Sequence, residues 1–282
     1  MRKKIIYIIG SGRSGTTLLD ILLGNQEGVF SGGELTRYAL RHGVPTGFDD
    51  KPERTAFWRS FTESFATDLD FDYTESLIND FEYYNLKGWP ASQQRQAHYR
   101  HFWRSFFDRL FEQIDERVVV DSSKYPKRAL QLSQTLAGSE YELCYIYIKR
   151  DPIGVVKSFA KTDVYIPPKN WLSANVYYFL SNLVCAWTAR TLRKRHSVIS
   201  IKYEQLVSDP QTVLDELGEA VGVDFSHLKQ KVHNEEALRV GDLFEGNSMR
   251  VKQQIKLRKE STRYPTTFIN TFTRIFNSPI YR

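Results

Sequence analysis

Two hydrophobic periods alternate along the chain. Short apolar runs rich in β-branched residues recur near residues 5–9 (Ile5-Ile6-Tyr7-Ile8-Ile9), 28–31, 117–120, 143–149 and 197–202. Unbroken apolar runs read as strands buried on both sides, the habit of a parallel sheet. Between them the period lengthens to three or four residues. Leu18 to Leu23 starts a first helix, and Lys127 to Leu136, the stretch after Pro152, a long segment from about Trp171 to Arg195, and Pro210 to Val221 supply others. Pro126, Pro152 and Pro210 suit first helical turns, and Gly222 suits a stop. Pro167 and Pro168 mark the loop before the long segment, whose pattern predicts a buried face of Leu172, Val176, Phe179, Leu180, Leu183, Val184 and Trp187. The alternation predicts an α/β fold in three layers: a parallel sheet of about five strands, helices on both faces, right-handed crossovers.

The alternation lapses between about residues 38 and 115. Tyr99, Phe102, Trp103, Phe106, Phe107, Leu110, Phe111 and Ile114 repeat at helical spacing, and Trp58, Phe61 and Phe65 suggest another helix of the same kind. Such aromatic stripes are first of all core, so this stretch reads as a helical insert within a single domain spanning 1–282. His98 and His101 have no accompanying Cys or carboxylate set and read as surface residues; no metal site is expected.

Chemistry gathers where strands end. Ile5–Ile9 runs into Gly10-Ser11-Gly12-Arg13-Ser14-Gly15-Thr16-Thr17 and then the first helix. Glycines let the chain turn with its N–H groups inward, and the positive end of the helix faces the turn, which makes a phosphate cradle. A nucleotide-triphosphatase P-loop requires GxxxxGK[ST]. Gly10 and Gly15 have that separation, but Thr16 stands where the Lys belongs, and the cation lies inside the loop as Arg13. The architecture is therefore P-loop-NTPase-like without the residue that grips a γ-phosphate. A second anion site follows the strand Leu143–Ile148, in Lys149-Arg150-Asp151-Pro152 with Ser158 further along the helix. Arg offers a planar fork of donors to a phosphate monoester, and a helix hydroxyl adds another.

Together these motifs resemble those of the sulfotransferases, whose 5′-phosphosulfate loop reads [K/R]SGT[TS] and whose 3′-phosphate site reads strand-Arg-[Asp/Asn]-Pro followed by Ser. The resemblance implies 3′-phosphoadenosine 5′-phosphosulfate as donor, held by Gly12, Arg13, Ser14, Gly15, Thr16 and Thr17 at one end and by Arg150 and Ser158 at the other. It implies that Tyr203, in Tyr203-Glu204-Gln205-Leu206, packs near adenine. It also implies that Asn247 and Arg250, in Gly246-Asn247-Ser248-Met249-Arg250, close over the 3′-phosphate, although the His that often precedes that loop is missing here. By the same resemblance Glu34, after Gly33, is the general base that takes the acceptor hydroxyl's proton, and Lys124 contacts the sulfuryl oxygens. The cytosolic phenol and steroid enzymes place a catalytic His just after such a Lys. Here Tyr125 and Pro126 follow, so the motifs are closer in style to the tyrosylprotein, carbohydrate and bacterial sulfotransferases. The implied reaction is in-line sulfuryl transfer to a hydroxyl, leaving adenosine 3′,5′-bisphosphate (PAP), with Arg13 and Lys124 neutralising charge and no metal.

Composition adds the setting. A net charge of +6 and a sequence pI near 9.1 favour polyanionic ligands: a nucleotide, an acidic glycan or nucleic acid. A P-loop nucleotide kinase-like phosphotransferase and a basic nucleic-acid-binding protein therefore remain alternatives. The second leaves the Arg150–Ser158 spacing unexplained, and no nucleic-acid partner is expected. Cys144 and Cys185 each lie in an apolar run, the pattern of buried thiols in a reduced compartment. Met1-Arg2-Lys3-Lys4 imitates a signal peptide, but the apolar run behind it is short and enters the glycine loop. Val176 to Trp187, interrupted by Ser181 and Asn182, is too short to span a bilayer. A cytoplasmic protein with no transmembrane segment is expected. Carbohydrate, lipid, phenol, peptide and polyketide hydroxyls all remain compatible as acceptors.

Overall fold

Five strands, β1 (Lys4–Gly10), β2 (Val29–Ser31), β3 (Val118–Lys124), β4 (Glu142–Lys149) and β5 (Ser197–Lys202), pair in parallel in the order β2-β3-β1-β4-β5. They belong to a computed structural model that describes residues 2–47, 52–65, 70–82, 92–161, 168–258 and 263–281. The central strand β1 is buried throughout, and its pleat serves two cores: Ile5, Tyr7 and Ile9 enter one, Ile6 and Ile8 the other. Helices α1 (Thr16–Leu23), α9 (Tyr203–Ser208), α10 (Pro210–Val221) and α11 (Ser226–His233) cover the Ile6 face. The Ile5 face carries α2 (Thr36–Leu40), α3 (Ala56–Phe65), α4 (Phe71–Phe81), α5 (Gln93–Gln113), α6 (Pro126–Thr135) and part of α8 (Trp171–Leu192). Helices α7 (Pro152–Ala160) and α12 (Phe268–Tyr281) pack with α8 at the remaining side, and residues 238–239 and 254–255 form a small antiparallel ribbon.

The predicted helical insert is α2 to α5. Its aromatic stripes are core: Trp58, Phe61, Tyr99, Phe102, Trp103, Phe106 and Phe107 are all buried. The side chain of Phe65, and Pro167, lie outside the described residues. A buried ionic network fastens the insert to the sheet. Arg128 on α6 donates to Asp121 of β3 (3.0 and 2.8 Å) and to Glu82 (2.5 Å), and stacks on Trp103 at 3.7 Å. Glu82 also accepts from Thr36 (2.6 Å) and Tyr99 (2.8 Å), so each charge inside is matched by charges or donors.

Three expectations are corrected. The first helix begins at Thr16, not Leu18, with Gly15 as its left-handed N-cap. Strand β3 continues through Asp121-Ser122-Ser123 to Lys124, because the strand's own polar side chains are satisfied: Ser123 donates to Asp121, and Ser122 to Asp20 (2.6 Å). The third correction is larger. Helix α8 ends at Leu192 and buries Ala174, Asn175, Tyr178, Ser181, Asn182, Cys185, Thr188 and Ala189, while the predicted face of Leu172, Val176, Leu180, Leu183, Val184 and Trp187 is exposed and Phe179 half-buried. The polar inner face is stable because it is paired. Tyr147 donates to the Asn182 side chain (3.0 Å), Tyr178 to the Arg150 carbonyl (2.8 Å), and Asn175 to Thr273 (3.1 Å). Both cysteines are free and buried, and burial pushes the Cys144 thiol up to about 11. Among the described residues no helix is long and apolar enough to cross a membrane.

Candidate active site

The glycine loop lies between the end of β1 and α1, at the C-terminal edge of the sheet. Arg13 (φ 69°) and Gly15 (φ 98°) both take left-handed backbone, which folds the loop back over the helix start. Gly15 is needed for a second reason: a side chain there would collide with the ring of Tyr203. Ser14 is buried and its hydroxyl donates to the Ser11 carbonyl, so that side chain shapes the loop instead of facing a ligand. Thr16 and Thr17 are also buried, and Thr17 Oγ1 accepts from the Asn247 amide (3.3 Å), tying the C-terminal loop to the phosphate loop. The Gly12 amide donates to the Tyr177 hydroxyl (3.1 Å).

Beside this loop opens a cavity of about 530 Å³ lined by Arg13, Gly15, Arg150, Ser158, Tyr203 and Asn247, with Lys252, Lys256 and Arg258 at its wall. The two anion sites read from separate motifs thus share one space. Arg150 leaves the end of β4 and lays its guanidinium 4.2 Å from the centroid of the Tyr203 ring, while its Nη1 donates to the Arg13 carbonyl (3.3 Å). Such an arrangement holds the fork in place before any ligand arrives. Gly154, one turn into α7, leaves room for the Tyr264 hydroxyl, which a Cβ at 154 would meet at 2.7 Å, and for Arg150 Nε at 3.2 Å.

Glu34 and Lys124 form a second cluster. Lys124 ends β3 with φ 64°, paired in register with Ile9 just before the glycine loop, and its ammonium donates to Glu34 Oε1. Arg37 Nε stands 3.8 Å from the other carboxylate oxygen. The turn carrying Glu34 is fixed by Asp20 of α1, whose carboxyl group is buried and binds Ser31 (2.5 Å), Ser122 (2.6 Å) and the Gly33 amide (3.0 Å). Burial pushes the Asp20 carboxyl up to about 7, against the lowering effect of those hydrogen bonds.

Arg250 does not join them. It is buried, donates to the carbonyls of Gly246 (3.0 Å) and Thr46 (3.2 Å), and lies 3.2 Å from Glu245. The side chain is therefore directed into the protein, where it pins the 246–250 loop, and the cations at the cavity wall are Lys252, Lys256 and Arg258. Tyr264, Tyr177, Phe159 and Lys169 were not singled out in the sequence. Arg13 lies 5.9 Å from the Phe159 ring centroid, and Lys169 lies 5.8 and 5.5 Å from those of Phe159 and Tyr177. No spacing marks Tyr177, which is one of several aromatics on α8; Phe159 is legible only as the neighbour of Ser158. Among the described residues no three His, Cys, Asp or Glu side chains gather as a metal ion would require.

The cavity brings Arg13 and Arg150 together beside the Tyr203 ring, a cationic space with an aromatic wall. The family model "Sulfotransferase family" matches residues 6–227. The fold is similar to the sulfotransferase domain from the Synechococcus PCC 7002 olefin synthase, with 21% identity, 99% of this chain and 94% of that one covered, and a TM-score of 0.50. It is likewise similar to the sulfotransferase domain from the curacin biosynthetic pathway, with 19% identity, 98% and 97% covered, and a TM-score of 0.53. No curated protein sequence matches the chain significantly.

Proposed function

The chain belongs to the sulfotransferase family, and from that premise we propose that it moves a sulfuryl group from 3′-phosphoadenosine 5′-phosphosulfate to the hydroxyl of an acceptor. The observation that carries the reading is the shared cavity, in which Arg13 and Gly15 of the phosphosulfate-type loop meet Arg150, Ser158 and Tyr203. Arg13 and the loop amides hold the 5′ end, Arg150 and Ser158 hold the 3′-phosphate, and Tyr203 with the Arg150 plane flanks the adenine. Asn247 closes the wall. The donor supplies an activated sulfur whose bond to a phosphate oxygen breaks as the acceptor oxygen attacks, leaving the electron pair on PAP.

The chain's own residues do the rest. Glu34 takes the acceptor proton, and Asp20 and the Glu245 carbonyl, which accepts from the Glu34 amide at 3.0 Å, keep its backbone in place. Lys124, bonded to Glu34, and Arg13 neutralise the negative charge that builds on the sulfuryl and the leaving oxygen. Binding of PAP in preference to ATP, measured by titration calorimetry with and without Mg²⁺, tests the reading. A Mg²⁺-dependent preference for ATP replaces it with a phosphotransferase. Donor-dependent transfer of labelled sulfate to fractionated cell extracts then identifies the acceptor.

A further inference from the structure

Among the described residues, eleven large apolar side chains are strongly exposed, and ten of them lie on two neighbouring helices: six on α8 and four on α12, at 37–78% exposure. Scattered exposed apolar residues are ordinary, whereas a contiguous set marks a contact surface. The two helices adjoin. Phe179 meets Phe276 (centroids 5.3 Å) and Trp171 meets Phe272 (5.4 Å), so the apolar flank of α12 runs into the outer face of α8. On α8, Val176, Leu180, Leu183 and Trp187 follow the 4-3-4 spacing of a helix–helix seam. From Trp171 to Ala189 that helix carries no charged residue.

We propose that this ridge is where two copies of the chain pair, α8 lying antiparallel against the same helix of the second copy about a two-fold axis near Leu180 and Leu183. Area is sufficient. Whole aromatic side chains span ~150–250 Å² and aliphatic ones somewhat less, so ten at these exposures present on the order of 1,000 Å². A stable pair needs roughly 800 Å² from each partner. Charge selects both the occupant and the direction. Copies with a net charge of +6 repel each other, and an uncharged face is where they approach at least cost. Arg190, Arg193, Lys194 and Arg195 collect at the C-terminal end of α8. A parallel pairing would set the two cationic clusters side by side. Antiparallel pairing holds them about 30 Å apart, the length of the helix and well beyond the screening length in physiological salt. An acidic partner would find no cation on α8 before Arg190 and a single one, the exposed Arg274, on α12, and an anionic lipid surface would meet α8's own cations at one end only.

Light scattering on the size-separated full chain at ~10 μM is expected to give twice the monomer mass. Leu180→Glu with Leu183→Glu is expected to halve it while leaving the circular dichroism, the melting temperature and PAP binding in place, since both side chains are already exposed. Leu183→Cys is a gentler second variant. Oxidation should link it into a covalent dimer, Leu172→Cys at the far end should not link, and the native thiols Cys144 and Cys185 are buried and silent. A monomeric wild-type chain, a dimer that survives the double substitution, or a monomer that sediments with anionic vesicles each overturns the proposal.

Discussion

Replacing Arg150 by Ala removes the proposed 3′-phosphate contact together with contacts inside the protein. The guanidinium no longer faces the cavity, its stacking on Tyr203 at 4.2 Å is lost, and so is its 3.3 Å bond to the Arg13 carbonyl. A hydrogen bond to a charged group contributes about 1.5–3 kcal/mol, and a cation over an aromatic ring about 0.5–2 kcal/mol. A loss of affinity for PAP alone would mix these contributions. Adenosine 5′-monophosphate keeps the adenine and the 5′-phosphate, so the stacking and loop losses are common to both ligands. Calorimetry of two proteins against two ligands closes a double-mutant cycle. Arg150→Ala should weaken PAP by ~10–150-fold more than adenosine 5′-monophosphate, the equivalent of 1.5–3 kcal/mol. Equal losses for both ligands would place the 3′-phosphate elsewhere and end the two-seat reading of the cavity.

The other predictions concern groups outside that cavity. Glu34→Gln and Lys124→Ala should each lower turnover by ~10²–10³-fold while PAP affinity stays within a few-fold, since neither side chain is among the residues lining the cavity; steady-state rates beside calorimetry decide, and turnover near wild type removes the assignment. Asp20 is raised in the fold from 3.8 to about 7, so its contribution to stability is full below pH 4 and is lost as the pH climbs through 7. The loss is worth about 4 kcal/mol in all, and urea unfolding at pH 5 and pH 8 should show roughly 2.7 kcal/mol of it in the wild type but not in Asp20→Asn; parallel behaviour of the two proteins would refute it. Arg128→Met leaves Asp121 and Glu82 buried without their cation and should cost about 3–5 kcal/mol of unfolding free energy, and a change below 1 kcal/mol would mean the network relaxes.

The network around Arg128 connects the insert with the chemistry. Thr36, which donates to Glu82, is only two residues beyond Glu34, and its amide donates to Ser123 (2.9 Å), next to Lys124. The proposed base and its lysine partner are therefore anchored at both ends, by Asp20 from α1 and by Glu82 from the insert. The insert's first measurable duty is to hold this turn.

What could be read in the sequence was what local geometry forces. A glycine loop between a buried strand and a helix, and an Arg-Asp-Pro at another strand's end, specify anion seats wherever the sheet places them, and parallel strands place them along one edge. Arg250 was beyond such reading, because a motif does not reveal whether an arginine finds carbonyls and Glu245 inside the protein before it finds a ligand. Helix α8 was misread for a deeper reason. Periodicity assigns apolar residues to the inside on the assumption that polar residues have only water to turn to. In α8 the polar residues find better partners inside, Asn182 with Tyr147, Asn175 with Thr273, and Tyr178 with the carbonyl of Arg150, so the apolar stripe is turned outward. A helix that keeps its pairing side for its own fold leaves its apolar side for a contact with something else. Absence of charge along that side is what makes a second copy the natural occupant.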